Sequence, residues 1–62
     1  MKEVRRIRIL KEMSMDEVYI KTKIPIPKLS RIERGIFEPS EKEKKLIARA
    51  LKVPKSEIFP DA

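Results

Sequence analysis

The 62-residue chain contains no cysteine and no histidine, which excludes disulfides, thiol chemistry and the usual zinc sites. Its net charge is +6, and residues 1–35 hold ten basic side chains against five acidic ones, an asymmetry that points to a polyanionic partner. A chain this short buries only ~60 % of its unfolded surface, so it has room for one small core and no deep catalytic pocket.

Val4, Ile7 and Leu10 recur every three positions, with Met13 beyond and Ile9 widening the stripe, and predict an amphipathic first helix over residues 2–12. Arg8 falls between two isoleucines, so its stem is half covered and its head needs an acceptor. The charges at Lys2, Glu3, Arg5, Arg6 and Arg8 leave no apolar run long enough for a signal peptide or a membrane span, and the expectation is a soluble, cytoplasmic protein. Ser14-Met15-Asp16-Glu17 reads as a capping box, which predicts a second helix from Met15 to about Thr22 with Val18 in the core. Lys23-Ile24-Pro25 breaks it.

Pro25 and Pro27 lack amide hydrogens and disfavour helix before them, so a third helix starts near Ile26 or Pro27. Gly35, the only glycine, falls where a left-handed C-cap is wanted and ends that helix. Leu29 and Ile32 point inward while Lys28, Ser30, Arg31 and Arg34 take the sides and back, giving a basic rod of about two turns on an apolar footing. The three- or four-residue turn between the second and third helices is helix-turn-helix spacing.

Ile36-Phe37-Glu38-Pro39 is a loop, and Ser40-Glu41-Lys42-Glu43 a second capping box. The fourth helix is expected from Glu41 to Leu51 or Lys52, burying Leu46, Ile47, Ala50 and Leu51. Val53-Pro54 ends it, Lys55 to Phe59 forms a last short turn whose Ile58 and Phe59 close the core, and Pro60 stops it. No strand pattern, repeat or linker interrupts this series, so the fold class is all-α. Asn, Gln, His and Trp do not occur and Lys and Glu abound, a thermophile-like composition. Adenine is usually read by Asn or Gln, so any base reading here rests on Arg, Lys, Ser, Thr or apolar contacts. The carboxylates are largely taken by caps and ion pairs, and no acid–base or nucleophile constellation stands out. No enzyme, cofactor, metal or small-molecule ligand is expected.

SMDEV at the start of the second helix, LSRIERG closing the third, EPS opening the fourth and ALKVPKSEIF at the end together resemble the lambda-repressor-like helix-turn-helix family of the Xre or Cro type. The resemblance spans nearly the whole chain. It implies a single compact five-helix domain over residues 1–62, with the helix-turn-helix at about 14–34 and the recognition helix at about 26–34. The implied function is a transcriptional regulator that binds double-stranded DNA as a homodimer, its third helix in the major groove and its second across the backbone. Transferred position by position, the base-facing residues are Ile26, Pro27, Lys28, Ser30 and Arg31, with Arg31 the first choice for gripping guanine O6 and N7. Arg34, Lys28 and the amides of Ser14, Met15 and Asp16 would hold phosphates. The family also pairs a first-helix arginine with a glutamate near the end of the third helix, here Arg8 and Glu33.

Departures from the family pattern are as specific as the match. Met15 stands where a polar residue usually contacts a phosphate, Tyr19 replaces a small residue and would crowd the third helix unless it turns outward, and Lys23 replaces the turn glycine and has to adopt positive φ. Pro25, Ile26 and Pro27 replace the polar opening of the recognition helix. Ile36 and Phe37 occupy positions of basic phosphate contacts and either tuck into the core or form a dimer patch. The segment MSMDEVYIKTKIPIPKLSRIE also resembles the cytoplasmic domains of the RodZ family of rod-shape proteins, which implies an alternative: a protein-interaction module using Tyr19, Ile26 and Phe37.

Overall fold

The computed structural model describes residues 2–59 and contains five helices and no strand among them. They are α1 (Lys2–Leu10), α2 (Met15–Thr22), α3 (Ile26–Glu33), α4 (Glu41–Leu51) and α5 (Lys55–Ile58). Helix α2 packs on α3 and α4, α1 on α3 and α5, and α5 on α4, so every helix reaches one shared core. That core is built from Val4, Ile7, Val18, Ile24, Leu29, Ile32, Ile47, Ala48, Leu51, Ile58 and Phe59, with Met13, Met15 and Val53 packed against it. Pro60, read as the stop after α5, lies outside the described residues.

Both capping boxes are formed. Ser14 and Ser40 accept from the amides of Glu17 and Glu43 at 3.1 and 3.2 Å, and the two glutamates accept from the serine amides at 3.1 and 2.8 Å. The first four helices close by left-handed residues, at φ 55° for Glu12, 65° for Lys23, 78° for Gly35 and 58° for Lys52. After α1, α3 and α4 the next amide reaches five residues back, Met13 to Arg8, Ile36 to Arg31 and Val53 to Ala48, which is the Schellman closure. Only one of the four positions carries the residue that adopts this conformation without steric cost.

The first helix is two residues shorter than the apolar pattern predicts, and its inward stripe differs. Three residues advance a helix by about 300°, so Leu10 lies about 120° around from Val4, and it is 71 % exposed. Ile9 is exposed as well. The buried stripe is Val4, Ile7 and then the largely covered Arg8, an i, i+3, i+4 set, and Met13 enters the core only after the turn at Glu12. In α4, Ala48 is buried and Leu46 is only half-buried. Tyr19 turns outward and its ring lies 6.0 Å from Lys23 Nζ, so the anticipated crowding of α3 does not arise. Ile36 and Phe37 do not tuck into the core; both are exposed.

Candidate nucleic-acid interface

The turn between α2 and α3 is set by one buried hydroxyl. Thr22 Oγ1 donates to the Val18 carbonyl at 2.7 Å and accepts from the Ile24 amide at 3.1 Å, while Ile24 is buried beneath. The chain reverses through Lys23 and enters α3 at Pro25, which supplies no side-chain cap. Pro27 has no N–H either, so the positive end of α3 presents fewer donors than an ordinary helix start. Leu29, Ile32 and Glu33 form the buried side of α3, Ile26, Lys28 and Ser30 its half-buried flanks, and Pro27, Arg31 and Arg34 its exposed ridge.

Arg8 and Glu33 bolt this helix to α1. Arg8 Nε and Nη2 donate to the two carboxylate oxygens of Glu33 at 2.7 and 3.2 Å, and Nη1 donates to the Met13 carbonyl at 2.9 Å. The side chains are 14 % and 5 % exposed. A planar fork meeting both carboxylate oxygens fixes orientation as well as distance, so α3 is held in one rotational setting against α1. That setting determines which side chains form the ridge.

The candidate residues divide sharply. The Arg31 guanidinium is exposed and makes no hydrogen bond or ion pair with any described residue. Arg34, one turn further along the same ridge, is also exposed and uses only Nε, on the Ser30 carbonyl at 3.4 Å. Lys28 behaves differently. Its ammonium lies 2.6 Å from Glu43 Oε2 at the start of α4 and 4.8 Å from the centroid of the Phe37 ring. The other oxygen of Glu43 caps α4 through the Ser40 amide, so a single carboxylate closes one helix and holds the lysine of another. The Lys28 hydrogen bond, then the Ser40 amide, keeps the Glu43 carboxyl below the usual carboxylate range.

At the start of α2 the Ser14 amide is taken by Glu17, leaving the amides of Met15 and Asp16 as the open donors. The carboxylates of Asp16 and Glu17 stand in the same turn and oppose an approaching anion there. The Met15 side chain packs on the core. Two residues that motif reading passed over also belong to this surface. Glu43 was legible only as a cap, because the sequence gives no sign that its second oxygen faces α3. Arg5, with Arg6, Ile9, Glu33 and Arg34, lines a hollow of about 380 Å³ between α1 and the end of α3.

A family model described as helix-turn-helix matches residues 4–58. No curated protein and no solved structure matches the chain.

Proposed function

As a member of the lambda-repressor/Xre-type helix-turn-helix family, whose domains bind DNA, this chain acts, we propose, as a sequence-specific transcriptional regulator that inserts α3 in the major groove of duplex DNA. The observation that carries the reading is the bare guanidinium of Arg31, exposed in the last turn of a rod that Arg8 and Glu33 hold in fixed rotation. At eight residues α3 is ~12 Å long, comparable to the ~12 Å width of the groove. In this proposal Arg31 reads guanine, Ser30, Ile26 and Pro27 flank it with short-range and apolar contacts, and Arg34 with the amides of Met15 and Asp16 takes phosphates. Lys28 contributes only when it leaves Glu43.

We further propose a cytoplasmic homodimer on DNA. Ile36 at 67 % exposure, beside exposed Phe37, supports an apolar contact just past the recognition helix, where two-fold related copies meet on paired half-sites. Among the described residues no helix is long and apolar enough to cross a membrane. The exposed Tyr19 and Ile20 on α2 favour a second reading, a protein-interaction module of the same fold that engages a partner through Tyr19, Ile26 and Phe37. Selection of bound sites from random duplex DNA separates the two. A two-fold symmetric motif with guanine at a fixed position supports the regulator and its dimer; recovery of no motif at any salt concentration removes it.

A further inference from the structure

We propose that the hollow between α1 and the end of α3 is a phosphate seat, gripped by Arg5 and Arg34, that extends the DNA contact from the recognition helix onto the first helix. The inference rests on the duplex-binding reading and deepens it. Its lining is three arginines, Ile9 and Glu33. The one carboxylate in that lining is already bound by Arg8, outside the lining, at 2.7 and 3.2 Å. Arg6 is drawn to Glu3 on its own helix. The Arg5 guanidinium has no hydrogen bond or ion pair with any described residue, and the Arg34 guanidinium spends a single N–H on a carbonyl. Arg5 and Arg34 therefore line one hollow, and neither guanidinium is paired with a carboxylate of a described residue. An oxyanion seated between them accepts from both forks and gives each cation a counter-charge.

The shape suits a backbone group better than an engulfed small molecule. Every lining residue except Glu33 is exposed, so the hollow is open along its length, and Ile9 offers an apolar rest for a sugar face. Continuity supplies the rest. Arg31 and Arg34 are three apart on one ridge of α3, and Arg34 is also a wall of the hollow, so a strand tracked from Arg31 past Arg34 meets Arg5 next.

The experiment is a salt titration of duplex binding by the full chain and its Arg5→Ala variant, with Arg49→Ala as a control that removes one exposed arginine outside the hollow. Arginine and alanine both favour helix, and Arg5 is exposed, so the variant folds; its circular dichroism melt verifies that. Loss of one phosphate contact reduces the slope of log K against log salt by ~0.9 and weakens binding about fivefold at 0.15 M salt. The ratio of affinities for selected and scrambled duplexes stays the same. A slope in Arg5→Ala equal to that of the unmodified chain or of Arg49→Ala overturns the phosphate seat while leaving duplex binding in place. If the unmodified chain binds no duplex even at low salt, the regulator reading and the seat fall together. In that case, capture of an acidic peptide that Arg5→Ala abolishes reassigns the hollow to a protein ligand.

Discussion

Replacing Glu43 by Gln should weaken the fold and strengthen DNA binding at the same time. The amide keeps the shape and still accepts from the Ser40 amide, so the capping box at α4 survives. What disappears is the charge that holds the Lys28 ammonium at 2.6 Å. With Lys28 36 % exposed and Glu43 17 %, solvent screens the pair and its contribution is about 0.5–1 kcal/mol. On a domain of this size that lowers Tm by ~4–8 °C per kcal/mol. The freed ammonium is then available to a phosphate, which steepens the salt slope by ~0.9 and tightens binding about fivefold at 0.15 M salt. Thermal melts and salt titrations on the same preparations read the two signs. A variant that binds duplex no better than the parent, at an unchanged fold, refutes the view that Glu43 competes with DNA for Lys28. The stability difference also depends on pH. Because the folded Glu43 carboxyl is held below its ordinary value, its contribution is complete above the ordinary glutamate pKa and fades as pH falls through the lower folded value. Parent and variant melts should therefore converge in acid and separate toward neutrality.

Other substitutions address separate parts of the molecule. Arg31→Ala should cost about 1–3 kcal/mol of discrimination at one base position, seen as relaxed preference in competition binding, with little change in Tm because the side chain is exposed and unpaired; equal discrimination by parent and variant would rule Arg31 out as the reader. Glu33→Ala leaves Arg8 covered and uncompensated, a loss of about 3–5 kcal/mol in urea unfolding. Arg8→Met combined with Glu33→Leu should recover most of that loss, and a double variant as unstable as the single one would contradict this account. Lys52→Gly should raise stability by about 0.5–1 kcal/mol by relieving a left-handed non-glycine residue at φ 58°, whereas Gly35→Ala should lower it by about as much at φ 78°.

Local chemistry was the part of this structure most readable in the sequence. The second and fourth helices begin where Ser14 and Ser40 with their glutamates three residues on require, and the third ends where Gly35 permits a reversal of handedness. Those signals act between residues a few positions apart, so one chain suffices to see them. The inward stripe of α1 is misread from sequence because a period of three resembles a period of 3.6 over two repeats and then diverges, carrying Leu10 off the core. Lys28 looked like a surface cation because its two partners, Phe37 and Glu43, are nine and fifteen residues away and come near only when α4 packs. From sequence Arg5 is charge and nothing more, since no spacing rule joins the outer side of α1 to the end of α3. Tertiary neighbours, rather than propensity, separate Arg31 and Arg34 from Lys28.

The covered pair of Arg8 and Glu33 has a consequence for heat. Hydration of charged groups grows less favourable as temperature rises, so the penalty for burying such a pair shrinks, while the yield of apolar contact levels off. On warming, the joint between α1 and α3 therefore carries a growing share of the load. Fraying is expected to begin elsewhere, and the arginine ridge keeps its aim until late in the melt.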